Sequence, residues 1–368
     1  MTARPTARPR AVSGTISGFV LRTARESTPH TQRSMAEALG VDLTTFQGWE
    51  SGRRPLANMK ASALLDLRRH LAVLGAEADL VALLDAAMDA DRIISASLHP
   101  DGRARLLHPL GEWVHTRDTA HMLAWALTGA PPPALAGRPA PARRGPVAAA
   151  PLLPAPERRA FFTHLRDLAE SAHRTDNRGV LLHRQALYLS SYDRSPEAVS
   201  WTAQTLHARR GVLAGRGWSP QWAEARSTAT ALARLGDPVP LLDFIERAMA
   251  DDDTGETANL NYWAYWLGAA RRPQADDTFM RDPDAGWDPI TLLRALTQGL
   301  HLAPGYVDLY THSLWALLTA HPWLPLASPT LAASLDTRTD RLLSEGVLSK
   351  RARRELSAVH YVLRQNRT

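Results

Sequence analysis

Between Thr128 and Pro156 the chain consists mostly of Pro, Ala, Gly and Arg, with Pro131, Pro132 and Pro133 in a row near its start. Such a stretch buries too little apolar surface to offset the entropy of ordering it, and its prolines favour an extended backbone. The chain is therefore expected to fold as separate parts on either side of a linker. A length of 368 residues leaves room for a core in each part. The expected organisation is a basic arm over 1–11, a first domain over 12–128, the linker over 129–156 and a second domain over 157–368.

Both domains read as mainly α. In the first, short helical segments over 12–75 are broken at Thr28-Pro29, Gly40 and Gly52 to Pro55, and Leu80, Val81, Leu83, Leu84 and Met88 recur at helical spacing. One β element is expected. Ile94, Ala96 and Leu98 alternate with Ser95 and Ser97, Pro100-Asp101-Gly102 supplies a turn, and Ala104 and Leu106 alternate with Arg103 and Arg105. This reads as a small β-hairpin across Arg92 to Leu107, followed by a helix near 116–127. Ten helices are expected from Glu157 onward, several starting at a Pro behind a Ser or Asp, as at Ser195-Pro196 and Asp288-Pro289. Short connections between them suggest an all-helical bundle or a solenoid-like array, although no fixed 34-residue repeat is present.

The net charge is +6, and nine Arg or Lys against four Asp or Glu lie between Met1 and Lys60. Positive charge concentrated in the first sixth of the chain suits a polyanionic partner, because neutralised phosphates release counterions. Cysteine is absent, which excludes disulfide frameworks and Cys-ligated zinc modules. No uncharged apolar run approaches the roughly 18 residues of a membrane span, so a cytoplasmic protein with no membrane partner is expected.

The stretch from Gln32 to Glu50 carries the most specific pattern. Met35, Ala36 and Leu39 line the inner face of one helix, and Gly40 supplies a residue tolerant of positive φ. Val41 then fills the corner, and Phe46 and Trp49, three apart, form the inner face of a second helix that Asp42 or Thr44 can cap. These residues, with Glu50-Ser51-Gly52-Arg53-Arg54-Pro55 after them, closely resemble the XRE-type, phage-repressor-like helix-turn-helix family over roughly residues 13–75. The resemblance implies a sequence-specific transcriptional regulator that binds double-stranded DNA as a homodimer on an inverted repeat. Together with the Arg-, Ala- and Pro-rich composition of a GC-rich genome, it also implies an actinobacterial, nucleoid-associated protein.

Carried over by position, the resemblance places Gln32 at the start of the first motif helix, reaching phosphate or bracing a recognition side chain. It places Leu43, Thr44, Gln47 and Gly48 on the outward face of the recognition helix, and Arg53 and Arg54 on phosphates. Gln47 suits adenine, and Leu43 and Thr44 suit a thymine methyl. A glycine in the middle of that helix, Gly48, departs from expectation.

Other signals leave alternatives open. Arg103 and Arg105 form either a DNA-contacting wing or part of a hairpin that only covers the domain edge. Tyr262, Trp263, Tyr265 and Trp266 form the densest aromatic patch, read as ordinary core or as a pocket or interface for a peptide or small-molecule effector. His99, His108, His115 and His121 lack tight metal-ligand spacing. No nucleotide-binding or nucleophile motif occurs, so neither an enzyme nor a cofactor is expected. The rival readings are a regulator whose helical, tetratricopeptide-like tail is an effector receptor, and an antitoxin or accessory interaction protein.

Overall fold

Apolar residues spaced three and four apart become helix along the whole chain. A computed structural model describes residues 14–99, 108–138, 148–172, 176–270, 272–300, 305–345 and 348–365. Among these residues there are seventeen α-helices and no strand. The chain divides into two units, the first holding residues up to 110 and 117–171, the second 111–116 and residues from 172 onward.

The first unit contains α1 (Thr15–Glu26), α2 (Gln32–Ala38), α3 (Leu43–Glu50), α4 (Ala61–Val73), α5 (Ala78–Leu98), α6 (Arg117–Thr128) and α7 (Ala155–Ser171). Helix α7, beyond the Pro/Ala-rich segment, thus belongs to the first unit. Helices α1 and α5 pack along each other around Ile16, Val20, Leu80, Leu84 and Ile93, all fully buried. Phe19 of α1 meets Trp125 of α6 edge to face at 4.9 Å.

Helix α5 corrects the hairpin. Residues 92–98, read as a strand, continue the helix that begins at Ala78. The apparent alternation covers only five residues, whereas burial of Ala87, Ala90, Ile93, Ile94 and Ser97 follows the helical period without a break. Ser97, polar and buried, satisfies its hydroxyl on the Ile93 carbonyl one turn back, at 2.9 Å. Residues 100–107, with Arg103 and Arg105, lie outside the described residues. His108 is a buried core histidine: its Nδ1 accepts from the Leu110 amide at 3.2 Å, its Nε2 faces the Ser97 hydroxyl at 3.2 Å, and burial pushes it down to about 3.

Helix α1 starts without a side-chain cap of its own, at Gly14 with φ of 122°. The cap comes from α5. The Asp91 carboxylate accepts from the Ile16 and Ser17 amides, each at 2.9 Å, and from the Ser17 hydroxyl at 2.7 Å. A carboxylate at a helix N-terminus is favoured by the free amides and the helix dipole. It ties two helices 74 and 75 residues apart in sequence.

The second unit contains α8 (Asn177–Ser190), α9 (Pro196–Ala208), α10 (Trp222–Arg234), α11 (Val239–Ala248), α12 (Asp253–Trp266), α13 (Pro289–Gly299), α14 (Tyr306–Ala320), α15 (Leu324–Ala327), α16 (Pro329–Glu345) and α17 (Lys350–Gln365). Ser195 and Asp288 cap α9 and α13 ahead of Pro196 and Pro289, as their sequences anticipate. Helix α14 is buried around nearly its whole circumference and packs on α11, α12, α13 and α17, which makes it the central helix of this unit. No helix among the described residues is long and apolar enough to cross a membrane.

Burial pushes the Asp91 carboxyl up to about 6 against the pull of its donors on α1, whereas its ordinary value is 3.8. The folded state therefore holds this proton more tightly than the unfolded chain. The resulting stability is fully present below about pH 4 and is lost as pH rises through about 6. In urea unfolding, the stability of the wild type relative to Asp91→Asn is expected to fall by about 2–3 kcal/mol between pH 4 and pH 7. A pH-independent difference would contradict this.

Candidate nucleic-acid interface

Helices α2 and α3 are short, so each depends on its caps and on the helix it packs against. Thr31 and Ser34 cap α2 reciprocally, and Asp42 caps α3 by accepting from the Thr45 amide at 2.7 Å. The connecting turn passes through Gly40 at φ of 65°, where a side chain would be strained. Met35, Ala36, Phe46 and Trp49 are buried as the motif requires, and the Phe46 and Trp49 rings meet edge to face at 6.1 Å.

What holds α3 is a buried carboxylate. Glu50, only 2% exposed, ends the helix. Arg25 of α1 donates to it through Nε at 2.6 Å, and Gln32 of α2 donates through Nε2 at 2.5 Å. Arg22 also donates to the Glu50 backbone carbonyl, at 3.1 Å. The three motif helices thus converge on one side chain. The close approach is made possible by Gly18 of α1, where a Cβ would collide with the Trp49 and Glu50 carbonyls, the latter at 2.8 Å.

The same network reaches the surface. Gln32 uses its amide nitrogen on Glu50 and its oxygen to accept from Gln47 Nε2 at 3.3 Å. Gln32 thus links the buried Glu50 carboxylate to the half-buried Gln47. Gln47 and Leu43 are half-buried, and Thr44 is exposed. The hydroxyls of Thr44 and Thr45 both donate to Asp42, at 2.5 Å, and hold its carboxyl well below the usual carboxylate range. Arg53 and Arg54 are exposed just past the helix. Arg54 folds back over α3 to donate to the Thr45 hydroxyl, while its amide donates to the Gly48 carbonyl at 2.9 Å.

That fold-back explains Gly48. A Cβ there would lie 3.0 Å from Arg54 Cδ and 3.1 Å from Cγ, so the missing side chain makes room for the arginine stem. Gly48 is buried beneath Arg54 and offers no surface of its own. Arg25, Glu50 and Thr45 were missed by sequence reasoning. A Glu at the helix end and an Arg 25 residues earlier carry no local signal of pairing.

The aromatic patch of α12 divides among several faces. Trp263 packs on Tyr310 at 4.7 Å in the core, and the Tyr265 hydroxyl donates to the Val114 carbonyl at 2.5 Å. Tyr262 and Trp266 stack on each other at 6.2 Å and are half-buried. The histidines do not converge: His99 is exposed, His108 and His121 are in the first unit, and His115 is in the second. The Asp251 to Glu256 run is a helix start, with Asp252 capping α12 on the Gly255 amide at 2.6 Å.

No family model, curated protein or solved structure matches this chain.

Removing one partner of a buried ion pair leaves the other charge uncompensated. Arg25→Met is therefore expected to cost about 3–5 kcal/mol in chemical denaturation. The double variant Arg25→Met, Glu50→Gln should recover most of that loss. If the double variant is no more stable than the single one, Glu50 is not the group that Arg25 neutralises.

Proposed function

We propose that the protein is a sequence-specific transcriptional regulator that reads double-stranded DNA with α3 in the major groove. The observation that carries this reading is the Gln47–Gln32–Glu50–Arg25 chain of hydrogen bonds. It fixes a half-exposed glutamine on the accessible edge of a short helix, between the half-buried Leu43 with the exposed Thr44 and the cations Arg53 and Arg54. A side chain with a donor and an acceptor, held in place before contact, suits an adenine edge, and flanking arginines suit phosphates. Thr44 and Leu43 supply apolar contact for a thymine methyl.

One such helix reads only a few base pairs. The reading therefore includes a homodimer on an inverted repeat, with half-sites about 34 Å apart, one turn of the duplex. The second unit takes the dimerisation and sensing roles in this scheme.

Recovery of bound genomic DNA from wild type and from a Gln47→Ala, Arg53→Ala variant tests it. The wild type is expected to enrich an inverted repeat that the variant loses. In binding assays on that repeat, Gln47→Ala should cost about 1–3 kcal/mol and relax one base position. Arg53→Ala should weaken all sequences alike and reduce the salt slope by about 1. Equal, unselective recovery by both proteins would overturn the proposal.

A further inference from the structure

The positive charge of this chain is concentrated at its two ends. Against a net charge of +6, residues 350–368 hold six Arg or Lys and one Glu, as large a surplus as between Met1 and Lys60. The residues between are net acidic. Helix α17 carries most of the second concentration. Its apolar side, with Ala352, Leu356, Val359 and Leu363, is buried, and the helix packs on α14 and α16. Its one carboxylate, Glu355, is buried too, with His312 Nδ1 at 3.0 Å and Arg351 at 3.5 Å.

The charge that α17 shows to solvent is of one sign. Lys350, Arg353, Arg354 and Arg364 are exposed, and the helix exposes no carboxylate. Arg364 faces Asp340 of α16 at 3.7 Å, and the half-buried Arg351 reaches Glu246 at 3.5 Å. Lys350, Arg353 and Arg354 form no ion pair among the described residues. Arg353 gives one N–H to the Leu343 carbonyl at 2.9 Å, which leaves its charge uncompensated. Between these cations and Arg364 stands Tyr361, 63% exposed. Its hydroxyl accepts from Gln365 Nε2 at 2.5 Å and so has its own proton to donate outward.

These cations also stand at the end of the helix that suits them least. Acidic residues favour a first turn and basic residues a last one. Seven helices of this chain follow that rule with an Asp or Glu in the first turn. Helix α17 has none there and sets Lys350, Arg351, Arg353 and Arg354 among its first five residues. A single buried carboxylate, Asp308 of α14, meets that end, on the Ser349 amide at 3.2 Å. A local rule broken on an exposed surface marks a candidate functional face.

We infer that the exposed face of α17 is a second contact surface for duplex DNA, one that binds the phosphate backbone without reading sequence. This rests on the reading of the protein as a duplex-binding regulator and gives the second unit a share in that contact. Cations and a hydroxyl donor are the groups that meet phosphate oxygens. Arg354 and Arg364 are separated by about 15 Å of helix, roughly four base pairs of duplex. A duplex presents its charges as a rigid array, so cations spread over that length release counterions without ordering the partner. An acidic peptide has to be ordered as it binds. A membrane surface takes an amphipathic helix by its apolar side, and that side of α17 is inside the fold.

Binding of the full chain to a random-sequence duplex and to the repeat recovered from genomic DNA, over a series of salt concentrations, tests this. The α17 variant is Lys350→Gln, Arg353→Gln, Arg354→Gln, in which residue 353 keeps a donor for the Leu343 carbonyl. The control, Arg178→Gln, Arg216→Gln, Arg272→Gln, removes the same charge from exposed positions elsewhere in the second unit. The α17 variant is expected to reduce the salt slope by about 2–3 on both duplexes, and the control by less than about 0.5. Preference for the repeat is expected to stay unchanged. The inference is overturned by an unchanged slope, by an equal fall in the control, or by a loss confined to polyglutamate or to mixed phosphatidylserine–phosphatidylcholine vesicles. An unchanged slope with selective binding leaves the α3 reading standing. A reduced slope without preference for any repeat supports the α17 face and removes the α3 reading, and a wild type that binds no duplex removes both.

Discussion

The Glu50 carboxylate is the point on which the geometry of the N-terminal helices depends. A charge removed from water is tolerable only when it is both neutralised and hydrogen-bonded. Glu50 meets both conditions by drawing one donor from α1 and one from α2, while its own backbone terminates α3. Three helices of 12, 7 and 8 residues, each too short to persist alone, are fixed relative to one another by one side chain. Apolar packing around Phe46 and Met35 supplies cohesion, but it is non-directional. The ion pair supplies direction, because the guanidinium and the amide each have fixed donor geometry.

Direction is then passed outward and inward. Outward, Gln32 has spent its amide donor on Glu50, so its oxygen is the atom left to receive Gln47, and that choice sets the orientation of the exposed glutamine. Inward, α1 is itself fixed by Asp91, which caps it from α5. At Gly18 the backbone of α1 comes so close to the end of α3 that a Cβ would collide with the Trp49 and Glu50 carbonyls. A surface side chain on α3 is thereby tied, through two carboxylates, to the longest helix of the unit.

Much of this was legible from residues near one another in sequence, and little from residues far apart. The positive φ at Gly40, the Asp42 cap and the buried Phe46 and Trp49 follow from spacings of at most four residues, where local rules apply. The hairpin failed for a related reason. Five alternating residues at 94–98 also fit one face and the flank of a helix, and the longer period reaching back to Leu80 decides between them. Gly48 was placed on the right helix but assigned to surface contact, because the arginine stem covering it starts six residues later, beyond the helix end. The pairings Arg25–Glu50 and Ser17–Asp91, and the isolation of Arg226, are tertiary facts. A sequence states that a charge exists, not whether another will reach it.

Buried charges in the two units consequently differ in kind. Glu50 sits among donors that offset its desolvation, those around Asp91 offset it only in part, and removing either carboxyl would leave its donors stranded, so their presence is explained by the fold itself. Arg226 has two aromatic rings against it but, among the described residues, no acceptor, and cation–π attraction of about 0.5–2 kcal/mol per ring falls short of the several kcal/mol that burying an ion costs. A methionine of similar length would fill the same volume against Tyr262 without that deficit. Core packing therefore favours the replacement.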